Sequence, residues 1–152
     1  MLTGWGRSIM QDEKHVGFEI RTLSNLIKRK VDNVISNKYT ENFTGIHGWV
    51  IGYIYRNDGK EIFQKDIEEE FSIRRSTATT ILQLMEKKDL IIRKSVDYDA
   101  RLKRIELTEE ARKLHEMIKL DIAEIEKQVI KDLSEEEIDT FFSIVKKIKS
   151  NL

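Results

Sequence analysis

Apolar residues recur every three or four positions in the first part of the chain, which is the spacing of amphipathic helices. In the first run they are Val16, Ile20, Leu23, Ile27, Val31 and Val34. The polar segment 36–42 interrupts the pattern, and Thr44 then stands as an N-cap for a second helix. That helix should end near the Asp-Gly pair at 58–59, because both residue types tolerate positive φ. The pattern therefore predicts two helices before residue 60.

Two shorter helices are predicted next, over residues 64–71 and 76–88, with a polar connection of about four residues. In the first of them, Ile67 and Phe71 fall on the inward face. The inward positions of the second are Ala78, Ile81, Leu82 and Met85. Two short helices joined in this way are typical of a helix-turn-helix.

A basic β-hairpin is predicted after these helices. Residues 90–96 and 103–107 form two strand-like runs around a charged tip at 98–101. The hairpin and the helix before it, residues 74–104, contain nine Lys or Arg and four Asp or Glu, whereas residues 105–141 contain five and twelve. A chain with no net charge thus has a basic module on an acidic scaffold, which would suit a protein that meets polyphosphate with one face only. Chance segregation of charge on solvated helices is the alternative.

Two further helices are predicted at the C-terminal end. Thr108 and Ser134 are their N-caps, and Ser134 belongs to a capping box with Glu137. The apolar stripe of the first helix is Leu114, Ile118, Ile122, Ile125 and Val129, and the predicted inward residues of the second are Ile138, Phe141, Val145 and Ile148. A stripe of about 25 residues needs a partner, so we expect it to pack on the first helix or on a second subunit. On that hypothesis, aspartate at Leu114 or Ile118 would lower the dimer population.

Composition excludes several classes of function. The chain has no cysteine, which removes disulfides, thiolate chemistry and zinc fingers, and suits a reducing cytoplasm. No apolar stretch approaches the roughly 18 residues that cross a bilayer. The three histidines lack metal-ligand spacing, and no catalytic motif occurs, so we expect no metal, no cofactor and no enzymic activity. Residues 1–12 are interpreted as a flexible leader.

With these elements in this order, the sequence resembles the MarR family of winged helix-turn-helix transcription regulators. The resemblance lies in residues 75–91 and in Asp99, Arg101, Leu107 and Thr108, which reproduce the family's wing pattern. It implies a mainly α fold with a small β-hairpin wing and with N- and C-terminal dimerisation helices. The expected organisation is a DNA-binding lobe at 44–107 and a helical dimerisation region at 13–36 and 108–152.

The predicted DNA-binding residues lie at the start of the second short helix and in the hairpin. Short side chains at a helix N-terminus let the backbone approach a major groove, and arginines there can reach phosphates or guanine edges. By resemblance, Arg101 would enter the minor groove, with Asp99 orienting it. The full set is Arg74, Arg75, Ser76, Thr77, Thr79, Thr80, Arg101 and Lys103. Two positions depart from the family: Asp89 replaces the usual glycine after the recognition helix, and His47 stands where glutamine is common.

The resemblance further implies a homodimer on a pseudo-palindromic site in double-stranded DNA, acting as a repressor that a small aromatic or lipophilic ligand releases. The candidate effector-pocket residues are His15, Trp49 and Tyr53, for which core packing or incidental exposure is the alternative. The competing functional hypothesis is a dimeric winged-helix protein-interaction module that does not read DNA.

Overall fold

The structure, a computed structural model, describes residues 15–39 and 44–152, so the predicted leader at 1–12 lies outside the described residues. The described residues form six helices and one two-stranded antiparallel sheet. In chain order these are α1 (Val16–Lys38), α2 (Gly45–Arg56), α3 (Gln64–Glu70), α4 (Arg75–Lys87), β1 (Ile91–Val96), β2 (Asp99–Leu107), α5 (Glu109–Val129) and α6 (Glu135–Ser150). This order confirms a mainly α winged helix-turn-helix with a hairpin wing.

The described residues divide into two compact units, which meet between residues 46 and 47 of the sequence. In the first unit, the N–H of Gly45 donates to Asp32 Oδ1 at 2.7 Å. Helix α1 runs to Lys38 and so extends into the polar segment that we expected to end it. Ile35, which directly precedes that segment, is fully buried and continues the apolar stripe into the last turn of the helix. The N-terminal part of the predicted stripe is about half exposed, as at Val16, Ile20 and Leu23.

The core of the second unit is built from α2, α3, α4 and the hairpin. Phe71 and Ile81, which were predicted to face inward, are only half-buried. The buried apolar residues of these elements and their connections are Val50, Ile51, Ile54, Ile62, Ile67, Ala78, Leu82, Met85, Leu90, Ile91, Val96, Ile105 and Leu107. These side chains come from all of α2, α3, α4 and the hairpin, so they fix α4 and the hairpin to one another.

Residues with positive φ, the left-handed backbone conformation, lie in the turns after α2 and α4. Gly59 has φ +86, as the Asp-Gly pair predicted. Asp89, which replaces the family's glycine, keeps the same left-handed conformation at φ +54. Its carbonyl accepts a hydrogen bond from the Thr108 hydroxyl at 2.6 Å, which joins the end of α4 to the start of α5. Aspartate therefore retains the left-handed turn at this position.

The hairpin differs from the prediction at its tip. The turn is only two residues long, 97–98, and the predicted tip residues 99–101 already belong to β2. Val96 pairs with Asp99 but Ser95 pairs with Lys103, so residues 100–102 bulge out of the ladder. A bulge changes the direction of the side chains at the edge of a sheet. The alternation of apolar and polar residues along the sequence does not predict such a bulge.

Helix α5 joins the lobe to the C-terminal region. The Thr108 hydroxyl accepts from the N–H of Ala111 at 3.1 Å, as predicted for this N-cap. Leu114 and Ile118 are already buried in the single chain, so aspartate at either position would disturb the packing of the monomer as well as any dimer. The expectation that these substitutions lower the dimer population stays a prediction.

Helix α5 also packs on α2 through polar and aromatic contacts. The Tyr55 and His115 rings lie 4.4 Å apart, and the Tyr55 hydroxyl donates to Glu116 Oε1 at 2.7 Å. One turn away, Arg112 Nη2 lies 2.9 Å from Asp58 Oδ1. Partial burial lowers the pKa of His115, with Glu116 opposing this effect.

Helix α6 buries none of its residues in the single chain. Its capping box is present, with the N–H of Glu137 donating to the Ser134 hydroxyl at 3.2 Å. Phe141, predicted to face inward, is 51% exposed, and Ile144 is similar. The helical periodicity of α6 is correct, but of its predicted inward residues Ile138, Val145 and Ile148 are only half-buried. None of the described helices is both long and apolar enough to cross a bilayer.

Candidate nucleic-acid interface

Side-chain hydrogen bonds fix α4 against α3. The N–H of Phe63 donates to Asp66 Oδ2 at 2.7 Å, which closes the start of α3. Gln64 Nε2 donates to Thr79 Oγ1 at 2.9 Å and to Glu68 Oε1 at 3.0 Å. Because an amide has two N–H groups, Gln64 can make both bonds at once. The angle between the two helices is thus held at their N-terminal ends.

The first turn of α4 carries most of the residues predicted to meet DNA. Arg74 is the N-cap and makes no side-chain capping hydrogen bond, and Ser76 and Thr77 are exposed. Thr80 is also exposed, and its hydroxyl donates to the Ser76 carbonyl at 3.0 Å. Thr79 differs, because it is half-buried and its hydroxyl donates to the Arg75 carbonyl while accepting from Gln64. Its hydroxyl is therefore engaged inside the helix-turn-helix.

Arg101, which we predicted to contact DNA from the wing, has 91% of its side chain accessible. Its backbone N–H donates to Asp99 Oδ1 at 2.9 Å, and its Nε lies 3.3 Å from the same oxygen. Hydrogen bonds from the Arg101 side chain and then its backbone lower the pKa of Asp99, so this carboxylate stays charged. The pair thus leaves the guanidinium group largely accessible to solvent.

A cleft of about 400 Å³ lies between the wing and the N-terminal ends of α3 and α4. Its lining brings together the predicted residues Arg75, Arg101 and Lys103, and adds the cations Lys65 and Arg93. The remaining lining residues are Phe63, Gln64, Glu68, Leu102 and Ile105. Five cations and one carboxylate thus face the same cleft. The predicted residues Arg74, Ser76, Thr77, Thr79 and Thr80 do not line it.

Sequence reasoning missed Gln64, Lys65 and Arg93. Lys65 lies in a helix that is otherwise acidic, and Arg93 lies in a strand among other charges. Arg93 Nε is 3.4 Å from Glu86 Oε2, yet its Nε and Nη2 are buried with no hydrogen-bond partner among the described residues. The spacing of Gln64 and Thr79, fifteen residues apart, gave no signal of their contact.

Other cations of the wing are ion-paired and do not line the cleft. Lys94 Nζ lies 2.6 Å and Arg104 Nε 2.7 Å from the Glu106 carboxylate. The hydrogen bond from Lys94 is the largest cause that lowers the pKa of Glu106. In contrast, Arg75 and Lys103 make no ion pair with the described residues. The positive potential of the cleft therefore comes from the cations that line it, among which Arg75 and Lys103 are not ion-paired with the described residues.

The candidate effector residues lie on two different units. Trp49 and Tyr53 are one turn apart on α2, and Trp49 is 42% exposed. The Tyr53 ring packs edge-to-face on Phe71 with 6.0 Å between centroids, and burial raises the pKa of its hydroxyl. His15 precedes α1 in the first unit and is exposed. A pocket formed by these residues stays a prediction.

Comparison with known proteins gives the same fold and names the family. A model of the MarR family matches residues 41–102. The transcription regulator MarR from Oenococcus oeni PSU-1 is 35% identical, with a TM-score of 0.75 over 90% of this chain and 99% of that one. The MepR–DNA complex of S. aureus is 28% identical, with a TM-score of 0.83 over 92% and 100%.

A MarR/EmrR family regulator from Acinetobacter sp. ADP1, at 21% identity, has the same fold, with a TM-score of 0.80 over 90% of this chain and 94% of that one. Members of the MarR family are transcription regulators, which agrees with the prediction that the chain is not an enzyme. The identity and coverage of the Oenococcus oeni regulator, together with the family model, extend the resemblance from a few motif residues to nearly the whole chain. This chain belongs to the MarR family of transcription regulators.

Proposed function

We propose that the protein is a homodimeric transcriptional repressor of the cytoplasm that binds double-stranded DNA through the α4 N-terminus and the wing. The observation that carries this proposal is the cleft between them, where Arg75, Arg93, Arg101 and Lys103 converge. Cations attract a polyphosphate by releasing its counterions, and two of these four, Arg75 and Lys103, make no ion pair with the described residues. The S. aureus MepR–DNA complex, at 28% identity, supports DNA binding.

Each part of the surface would have its own task on the duplex. The first turn of α4 would enter the major groove, where Ser76, Thr77 and Thr80 allow a close approach and Arg74 and Arg75 reach phosphates or guanine edges. Arg101 would enter the adjacent minor groove, whose negative potential favours arginine. Lys103 would contact the backbone. Thr79 would act through Gln64, by holding α4 in place.

The proposed dimer would place two such lobes on one site. Apolar side chains that remain exposed in the single chain support it, among them Leu120 of α5 at 70% and Phe142 of α6 at 62%. Exposed apolar side chains of this size are typical of an interaction surface. The dimerisation region would be residues 13–36 and 108–152, and the lobe 44–107. Two recognition helices then require half-sites about 10 base pairs apart in a pseudo-palindrome.

An aromatic or lipophilic ligand would release the DNA by binding near Trp49 and Tyr53 on α2. The half-exposed indole and the packed phenol offer an aromatic surface on α2, the helix that α5 contacts through Tyr55. A ligand shifts DNA affinity only by its differential affinity for two arrangements of the lobes, typically about 1–3 kcal/mol. Repression would follow from overlap of the site with a promoter.

The test is fluorescence anisotropy with labelled duplex from the region upstream of the chain's gene. It is repeated over a series of salt concentrations and against a scrambled duplex. Binding that weakens with salt but still prefers the native duplex would support the proposal. If neither duplex is bound at low salt, the protein-interaction module becomes the better hypothesis. Sedimentation of the free protein tests the dimer separately.

A further inference from the structure

Tyr98 is joined to a different part of the lobe by its hydroxyl. It lies in the wing turn, is 65% exposed, and its hydroxyl donates to Glu61 Oε2 at 2.8 Å. Glu61 precedes α3, and its other oxygen lies 3.9 Å from Arg104 Nη1. We propose that the Tyr98–Glu61 hydrogen bond fastens the wing turn to the segment before α3 and thereby sets the position of Arg101. This inference rests on the proposed function.

The wing needs such a tie because its tip is poorly held by the sheet. Residues 100–102 bulge out between the paired Asp99 and Lys103, so Arg101 has no partner in the ladder. Its hydrogen bonds go to Asp99, which directly follows Tyr98. A shift of the turn would therefore carry Asp99 and the Arg101 guanidinium with it.

The other end of the tie is fixed. Ile62, next to Glu61, is buried, and its carbonyl accepts from the N–H of Ile105 at 2.7 Å. This backbone bond holds the base of β2 to the segment before α3, whereas the Tyr98 hydroxyl holds the turn to the same segment. The hydrogen bond to Glu61 raises the pKa of Tyr98, so the phenol keeps the proton that it donates at neutral pH. Two attachments at opposite ends of β2 define the angle of the wing.

The chain offers a matched control for the loss of the hydroxyl. Tyr55 donates to Glu116 at 2.7 Å, so Tyr55→Phe removes the same kind of exposed bond away from the wing. Binding to the upstream duplex is measured for Tyr98→Phe, Tyr55→Phe, Arg101→Ala and the Tyr98→Phe/Arg101→Ala double variant. A lost hydrogen bond of this kind should weaken binding by about two- to tenfold in Tyr98→Phe. Tyr55→Phe should bind like the wild type.

The double variant tests whether Tyr98 acts through Arg101. If it does, Tyr98→Phe has no further effect once Arg101 is alanine, because the group that it positions is gone. Equal losses in both backgrounds, as expected for a phenol that itself contacts DNA, would overturn the proposal. So would wild-type affinity in the single Tyr98→Phe variant.

Hydrogen exchange of the free protein separates this inference from the proposed function. Backbone amides of residues 97–103 should exchange faster in Tyr98→Phe than in the wild type or in Tyr55→Phe. Unchanged exchange would refute the tie, whether or not the protein binds DNA. If the wild type binds no duplex, the proposed function fails and the positioning of a DNA contact fails with it, even where exchange shows that the tie exists.

Discussion

Replacement of Arg101 by alanine should weaken DNA binding and leave the fold intact. The side chain is 91% accessible and its hydrogen bonds go to Asp99, two residues away, so no core contact is lost. Thermal unfolding followed by circular dichroism should therefore be unchanged within a degree or two, which is about the effect of an ordinary surface substitution. The change then removes one cation from the proposed interface and little else.

The size of the effect follows from counterion release. Each cation that neutralises a phosphate of duplex DNA contributes about 0.9 to the slope of log affinity against log salt concentration. A dimer places two Arg101 side chains on one duplex, so the slope should fall by about 1.8. Between about 50 and about 200 mM salt, the ratio of wild-type to variant affinity should therefore shrink by about tenfold.

The assay is anisotropy of a labelled duplex titrated at several salt concentrations. Lys131→Ala is the control, because Lys131 is an exposed cation in the turn between α5 and α6 and its loss changes the net charge by the same amount. That variant should keep the wild-type slope. An Arg101→Ala protein with wild-type affinity and slope would show that the wing does not touch the duplex.

Three further predictions concern the scaffold. Asp89→Gly should stabilise the protein by about 0.5 kcal/mol, since a left-handed residue with a Cβ costs roughly 1–2 kcal/mol and glycine returns roughly 0.5–1 in chain entropy; a lower urea midpoint would contradict this. Burial lowers the pKa of His115 below 6.5, so near that pH the unfolded chain binds more protons than the folded one. The contribution of His115 to the free energy of unfolding is therefore fully present above pH 6.5 and is lost as the pH falls towards the folded pKa. Urea unfolding of His115→Gln should show a smaller loss over this range, and an identical pH profile would refute the assignment. Phe142→Asp should lower the dimer population in sedimentation without loss of helix, because Phe142 is exposed in the single chain, and an unchanged dimer would place the interface elsewhere.

The elements of this fold could be predicted from the sequence because most of them carry their own local signals. Thr108 and Ser134 mark helix starts through capping bonds that depend on neighbours three residues away. The direction of the apolar face of α6 could not be predicted, because periodicity shows that a stripe exists but not what covers it. Phe141 has the helical spacing of a core residue and remains half exposed.

The candidate site was predictable only where it lies in one stretch of sequence. Arg74 to Thr80 follow one another at a helix start, so their shared position could be inferred. Gln64 and Arg93 reach the same region from α3 and β1, and only the tertiary packing of the lobe brings them there. The bulge at residues 100–102 is likewise invisible, because it depends on the register between two strands.

The neutral total charge shows most clearly what sequence counting leaves out. Residues 74–104 carry an excess of five positive charges, but the count treats all nine cations alike. In the structure, Lys94 and Arg104 share an ion pair with the one carboxylate of Glu106, whereas Arg75 and Lys103 line the cleft and make no ion pair with the described residues. Because the Glu106 carboxylate competes with DNA phosphates for Lys94 and Arg104, the number of cations available to DNA is smaller than the sequence count suggests. The pairing thus concentrates the positive potential between the wing and α4, where a duplex would meet both.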